Sequence, residues 1–158
     1  MTENEIREIV KKTLCSLKTD KSVMTLKLAE KICDAVTEYA KKAGVNAVVC
    51  ISDAAGNPKL VKSMDDAYLA SYDVAVNKAY TVVALKMSTI ALKPMAQPGQ
   101  SLYGIQFTNG GRIVIFGGGE PLYGDDGKII GGLGVSGGSE AQDTLLAKQG
   151  REFFEKLK

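Results

Sequence analysis

The stretch GGLGVSGGSEAQD, residues 131–143, ends a predicted strand and begins the last predicted helix. Inside it, GLGVSG at 132–137 has the G-x-G-x-x-G spacing of a dinucleotide-binding loop. That fingerprint requires a second parallel strand after the helix, with an acidic residue about 20 positions on to bind the ribose. Residues 139–157 predict a closing helix and no further strand, so we expect no βαβ unit and no NAD.

The glycines of this stretch need another explanation. Glycine in a strand permits close approach of a second backbone, a helix or a ligand, and it permits bulges. Glycine runs at 117–119 and 137–138 are each expected to end a strand. Tight packing and a smooth wall for a flat ligand both fit this pattern. The start of the last helix also offers N–H groups beside Ser136 and Ser139, which predicts a small-anion site.

Outward from this stretch, the turn signals predict an antiparallel sheet with helices packed on it, an α+β fold. AAGNP at 54–58 separates two strand-like runs, and Asp126-Gly127 marks a second hairpin. Thr25 is the predicted N-cap of the second helix, and Gly44 is the residue expected just past its end. The predicted strands are 47–52, 59–64, 112–116 and 128–136; the predicted helices after the first are 26–43, 65–87 and 139–157.

The helix predicted at 65–87 is rich in Ala and Val and opens with two Asp residues. Its larger apolar residues recur at helical spacing, which predicts that they form the buried face. These residues are Leu69, Tyr72, Val76, Tyr80 and Val83, with Asp73 and Lys78 on other faces.

The N-terminal segment, residues 1–20, predicts a separable amphipathic helix followed by a polar linker. Thr2 and Glu5 have the spacing of a capping box, and the apolar stripe is Ile6, Ile9, Val10, Leu14 and Leu17. Such a helix either packs on its own domain or on a sister subunit, or it docks in a groove of another protein. In the second case it resembles an encapsulation peptide of bacterial microcompartment cargo. The remaining domain is expected over residues 23–158.

Composition excludes several classes of function. The chain has 45% hydrophobic and 24% charged residues with a net charge of +2, and no block of one sign indicates nucleic-acid binding. We expect no signal peptide and no membrane segment, and therefore a reducing cytoplasmic setting. The three cysteines, Cys15, Cys33 and Cys50, are unsuited to a disulfide framework or a metal site, and Cys33 and Cys50 are expected in the core. Histidine is absent, which excludes His-based catalysis and His-ligated metals.

Six segments together resemble a known family: MTLKLAEKI (24–32), DAAGNP (53–58), SYDVAVNKAYTVVAL (71–85), QPGQSLYGI (97–105), TNGGRIVIFGGGEPL (108–122) and GGLGVSGGSEAQD (131–143). Over about residues 23–150 the chain resembles the GlcG/HbpS-like, haem-degrading domain. That family includes the C-terminal domain of PduO-type cobalamin adenosyltransferases of propanediol utilisation. The resemblance implies a five-stranded antiparallel sheet flanked by helices in a profilin- or PAS-like three-layer arrangement. It also implies a homo-oligomer that binds haem or a corrinoid.

The resemblance also implies a set of cofactor-binding residues: Tyr103, Asn109, Arg112, Glu120 and Asp143. We add Phe116 as an aromatic ring suited to stacking on a macrocycle. Each has a structural alternative: Asn109 as a turn residue, Arg112 with Asp143 as an ion pair, and the aromatic rings as packing. Because histidine is absent, an iron ligand would have to be Tyr103, Met95 or a cysteine, and the spacing selects none of them.

The sequence thus favours an oligomeric accessory protein that binds haem, a corrinoid or another small cofactor, in one interpretation inside a microcompartment for diol metabolism. One alternative is a small His-free enzyme that draws acid–base groups from Glu120, Asp143, Arg112 and Tyr103. It would need a carboxylate with a raised pKa or a lysine with a lowered one. The other alternative is a scaffold protein targeted to the microcompartment shell by its N-terminal helix.

Overall fold

A computed structural model describes residues 2–17 and 19–157, with residues 11, 12 and 14–17 described by their backbone alone. The predicted side-chain positions of Leu14, Cys15 and Leu17 therefore lie outside the described residues. The helices are α1 (Glu3–Leu17), α2 (Leu26–Lys42), α3 (Ser71–Leu85), α4 (Thr89–Leu92) and α5 (Glu140–Lys156). The strands are β1 (Val48–Asp53), β2 (Pro58–Ser63), β3 (Gly119–Tyr123) and β4 (Ile129–Ser136), and three short 3-10 turns occupy Lys93–Ala96, Ile105–Phe107 and Asn109–Gly111.

The described strands form one open antiparallel sheet in the order β2-β1-β4-β3. This confirms the α+β class and the hairpin at Asp126-Gly127, where Gly127 has a φ of +76°. The strand predicted at 112–116 is wrong, because those residues lie outside any strand and β3 begins at Gly119. The sheet has four strands within the described residues, so the five strands that the resemblance implies are not confirmed. The likeness to the profilin or PAS layout stays a prediction.

Helices α2 and α5 cover one face of the sheet and bury the main core. Ile32 and Val36 of α2 pack there with Leu133 of β4 and with Leu146 and Phe154 of α5. Local signals fix where these helices begin and end. The predicted Thr25 cap accepts a hydrogen bond from the Leu28 N–H at 3.1 Å, Gly44 follows α2 with a φ of +67°, and Ser139 and Gln142 form a capping box on α5.

Helix α3 packs on the other face, and the glycines of β4 let it approach closely. A Cβ atom at Gly134 would lie 2.0 Å from the Ala75 carbonyl oxygen, and one at Gly132 would lie 2.3 Å from the Ala79 carbonyl oxygen. Both neighbours are backbone atoms, so the contact requires glycine. The tight-packing interpretation of the GLGVSG stretch is confirmed.

The predicted buried face of α3 is wrong at Leu69 and Tyr72, whereas Val76 is partly buried and packs against the core. The glycines of β4 bring the helix backbone against that strand, so most of the positions that face the sheet are small. The buried positions are Ser71, Ala75, Lys78, Ala79, Thr81 and Val82, and Lys78 extends to Val135 and Asp143. Leu69 precedes the helix and is 95% exposed, and Tyr72 also faces outward. The helix begins at Ser71, because Asp66 has a φ of +59°, which a helix does not permit.

The N-terminal helix has the predicted cap: the Glu5 N–H donates to the Thr2 hydroxyl, and the Thr2 N–H donates to the Glu5 carboxylate at 2.6 Å. Its described apolar residues Ile6, Ile9 and Val10 are exposed. Lys21, by contrast, is buried, and its Nζ donates to the Glu155 carbonyl at the end of α5. No helix in the described part of the chain combines the length and the apolar character that a membrane span requires.

Candidate functional site

The segment 108–119, which carries the TNGGRIVIFGGG motif, crosses the outside of α3 and is attached to it at successive points. The Asn109 side-chain N–H donates to the Tyr80 hydroxyl at 3.1 Å. The Arg112 guanidinium stacks on the Tyr80 ring at 3.6 Å from its centroid, a favourable cation–π geometry. Asn109 has a φ of +53°, so it also serves as the predicted turn residue. The structure thus brings Asn109 and Arg112 together on one tyrosine.

Thr81 attaches the next part of the segment. Its hydroxyl accepts from the Val114 N–H at 3.0 Å and donates its proton to the Asn77 carbonyl at 2.7 Å, and it also lies 3.2 Å from the Arg112 carbonyl oxygen. The bond from Val114 satisfies a backbone N–H that a strand partner would otherwise satisfy. The run RIVIF therefore has strand-like composition without being a strand.

A buried lysine lies beneath the end of this segment. Lys78 is fully buried, and its Nζ donates to the Val135 carbonyl at 2.7 Å and to Asp143 Oδ2 at 3.0 Å. Asp143 Oδ1 accepts from the Gly138 N–H at 2.9 Å, and the Phe116 ring centroid lies 5.0 Å from the Lys78 Nζ. Burial lowers the pKa of Lys78, and the neighbouring Asp143 carboxylate opposes that shift.

This arrangement corrects two expectations. Asp143 pairs with Lys78 rather than with Arg112, and Lys78 lies on the buried face that the sequence did not assign to it. The spacing of Lys78 indicates its burial, because it continues the row of small residues Ser71 and Ala75 along one face of the helix. Two of the predicted cofactor-binding residues, Phe116 and Asp143, therefore meet through a residue that sequence analysis did not select.

The glycine run at 117–119 lies against side chains of α3 and α5 that leave no room for a Cβ atom. A Cβ atom at Gly118 would lie 2.6 Å from the Lys78 Nζ, and one at Gly117 would lie 2.0 Å from the Thr144 hydroxyl. Gly118 also has a φ of +110°, a region that favours glycine. The run lets the backbone lie directly on the Lys78–Asp143 pair.

Glu120 lies on the opposite face of the sheet from α3. It is buried and accepts from the Arg151 guanidinium of α5 at 3.1 Å. Burial raises the pKa of Glu120, and the Arg151 charge partly offsets this. Arg151 follows Asp143 by two helical turns, about 12 Å along the axis. The acid–base groups of the enzyme hypothesis therefore do not share one site.

Aromatic side chains on residues 97–118 remain accessible. Tyr103 is 62% exposed and Phe107 is 80% exposed, while Phe116 is partly exposed above Lys78. Cys33 and Cys50 are buried, and burial raises the pKa of each thiol to about 12, so neither supplies a thiolate. Of the proposed iron ligands among the described side chains, Tyr103 is the accessible one and Met95 is half-buried.

At the predicted anion site at the start of α5, three N–H groups donate to residues of the helix cap itself. The Gly138 N–H donates to Asp143, the Ser139 N–H donates to Gln142 Oε1, and the Gln142 N–H donates to the Ser139 hydroxyl. The Ser136 hydroxyl donates to Ser71 at 3.1 Å. The helix start is capped by its own residues, but these bonds do not use the Glu140 and Ala141 N–H groups, so the small-anion site stays a prediction.

The family model described as "Haem degrading protein HbpS-like" matches residues 24–152, and the chain belongs to this family. It is 45% identical to an uncharacterized 15.0 kDa protein in the dhaT-dhaS intergenic region of Citrobacter freundii, over 86% of this chain and 95% of that protein. It is 40% identical to the corrinoid adenosyltransferase PduO of Salmonella typhimurium, over 92% of this chain but 45% of that protein. The crystal structure of a PduOC–heme complex superposes with a TM-score of 0.79 at 39% identity, over 82% of this chain and 94% of that one. The predicted resemblance is confirmed.

Proposed function

We propose that this chain is an oligomeric accessory protein that binds haem on the surface formed by residues 97–118 and the outer side of α3. A corrinoid is the alternative cofactor. The observation that carries the proposal is the similarity to a protein solved with haem, together with accessible aromatic rings on a segment that α3 holds in place.

The chemistry of the available side chains fits haem. A tyrosine phenolate is an established ligand of haem iron, and none of the described residues hydrogen-bonds to the Tyr103 hydroxyl. Phe116 offers a ring face to the macrocycle, and the Arg112 guanidinium, fixed by Tyr80, offers a cation to a propionate. Haem bound there would supply an iron centre with redox and ligand-binding capacity.

The remaining predicted site residues take supporting roles in this proposal. Asn109 holds Tyr80 beneath Arg112, and Asp143 holds Lys78 beneath Phe116. Glu120 faces α5, so we assign it to the core rather than to the cofactor.

A haem titration tests the proposal. Ferric haem added to the protein should give a shifted Soret band that saturates at one haem per chain. Tyr103→Phe should lose the phenolate-to-iron charge-transfer band and weaken binding about tenfold, whereas Tyr123→Phe, which alters another exposed tyrosine, should change neither. An unchanged Soret region would refute the proposal, and calorimetric heat from cobalamin in that case would favour the corrinoid.

The oligomer is proposed from exposed side chains at the start of α3. Tyr68, Leu69 and Tyr72 are all exposed, and large apolar groups clustered on a surface mark an interaction site. Light scattering should show an oligomer for the protein and a smaller species for Leu69→Asp. A monomer in both cases would contradict this part of the proposal.

Targeting to a microcompartment shell protein is proposed from α1. Its described apolar residues lie on one exposed stripe, which suits docking of a helix in a groove. A fluorescent fusion of the whole chain should form foci in cells that make shells, and Ile9→Asp should make the signal diffuse. Foci that persist in Ile9→Asp would contradict the role of α1.

A further inference from the structure

A groove lies at the end of the sheet away from the Lys78–Asp143 pair. It is lined by the segment before α2 (22–25), the turn after β1 (53–55) and the β3–β4 turn, and its volume is about 660 Å³. We call it the hairpin groove. Both hairpins beside it carry a register irregularity, between Ile51 and Ser52 in one and between Leu122 and Tyr123 in the other. Bulges of this kind redirect side chains and are enriched near functional sites.

The floor of the hairpin groove is apolar. Met24 and Ile130 are nearly fully buried, Ile129 is partly buried, and Val23 is 59% exposed at its lip. Ile129 and Ile130 are consecutive, yet both line the groove, whereas regular strand residues alternate between faces. The irregularity opposite Ile129 accounts for this and widens the apolar floor.

The segment that carries Val23 is held in place on both sides. The Lys21 Nζ donates to the Glu155 carbonyl at 3.0 Å, and a Cβ atom at Gly124 would lie 2.4 Å from the Lys21 carbonyl oxygen. Met24 is buried on the other side of Val23. An apolar side chain is thus fixed at the lip of a preformed groove.

The charges around the hairpin groove leave one lysine free. Asp53 Oδ1 accepts from the Ala55 and Asn57 N–H groups, and Asp126 accepts from the Lys128 N–H and lies 3.4 Å from the Lys128 Nζ. Lys59 lines the groove, is exposed, and pairs with no carboxylate among the described residues. The groove lining thus holds two carboxylates and two lysines, and Lys59 is the lysine that stays available to pair with an anionic ligand.

We propose that the hairpin groove binds a small amphipathic monocarboxylate. Its aliphatic or aromatic body lies on Val23, Met24, Ile129 and Ile130, and its carboxylate pairs with the Lys59 Nζ. The volume is in the range of small-molecule sites, and an apolar floor with one convergent polar group is typical of them. This site is separate from residues 97–118 and does not depend on haem.

Decanoate is a suitable probe in a ¹⁵N NMR titration of the whole chain. Amide shifts should concentrate on residues 22–25, 53–59 and 126–130. Lys59→Met should weaken decanoate binding about fivefold, as expected for one exposed ion pair, and decanol should bind about equally to both proteins. Val23→Asp should weaken binding at least tenfold. Lys31→Met, which alters an exposed lysine of α2, is the matched control and should leave the affinity unchanged.

Three results would overturn the proposal. One is shifts spread over other surfaces, and another is equal decanoate affinity in Lys59→Met and the unaltered protein. The third is displacement of decanoate by stoichiometric haem, which would place haem in this groove. The variant Ile9→Asp tests whether helix α1 occupies the groove instead. The proposal predicts no change in decanoate affinity for this variant, and a large gain would show that α1 fills the groove.

Discussion

Alanine at Gly134 tests whether the α3 backbone lies directly on β4. The new Cβ atom would lie 2.0 Å from the Ala75 carbonyl oxygen and 2.7 Å from the Ala79 nitrogen, well inside ordinary contact. Both atoms belong to the helix backbone, so the whole helix has to move. Overpacking of this kind costs up to about 3 kcal/mol, which lowers the melting temperature of a chain of this size by about 6–12 °C.

Gly150→Ala is the matched control for this experiment. Its Cβ atom would meet the Val36 and Leu133 side chains at 2.5 and 2.6 Å, so core side chains have to repack, but no backbone atom is in the way. Alanine also gains about 1 kcal/mol over glycine inside a helix. Urea unfolding followed by circular dichroism, at one protein concentration, should show Gly134→Ala clearly more destabilised than Gly150→Ala. Equal stability of Gly134→Ala and the original protein would refute the close packing.

Three further variants test the groups around α3 and the sheet. Lys78→Met leaves the Asp143 carboxylate buried without its partner and should cost about 3–5 kcal/mol, and Lys78→Met combined with Asp143→Asn should recover part of that loss. Thr81→Val leaves the buried Val114 N–H unpaired and should cost about 1–3 kcal/mol while also weakening haem binding. Because burial raises the pKa of Glu120 in the folded state, its contribution to stability is present below the ordinary glutamate pKa and is lost as the pH rises through the raised value. Glu120→Gln should therefore become more stable relative to the original protein as the pH rises from 4 to 7, and a pH-independent difference would contradict this.

Local chemistry made much of the fold predictable. Thr25, Gly44 and Ser139 act at single helix ends, and Asp126-Gly127 acts within one turn, so each signal needs only its sequence neighbours. Helices α2 and α5 and strands β1, β2 and β4 follow from these signals and from periodicity. Their predicted bounds match the observed ones within two residues.

The buried face of α3 was not predictable from the helix alone. The rule that large apolar residues face the core assumes a partner surface with room for them, and the glycines of β4 remove that room. The same glycines had been recognised as a sign of close approach, but the sequence did not name α3 as the partner. The burial of Lys78 was not predictable either, because its partner Asp143 is 65 residues away in the sequence.

The candidate site was predictable in its residue types but not in its grouping. Asn109 and Arg112 meet on Tyr80, Phe116 and Asp143 meet on Lys78, and Glu120 faces the other layer. The strand predicted at 112–116 is wrong, and there the Thr81 hydroxyl, rather than a strand partner, accepts from the Val114 N–H. Such side chain–backbone contacts between distant residues leave no periodic signal in the sequence.

The most direct test of the haem proposal uses the iron as its own probe. Ferric haem is added at one equivalent to ¹⁵N-labelled protein, and paramagnetic broadening of each amide signal is measured. The proposal predicts that signals disappear from residues 97–118 and from the outer side of α3 around Tyr80, while those of α2 and the hairpin groove persist. Broadening centred elsewhere, or a spectrum that haem leaves unchanged, would contradict it.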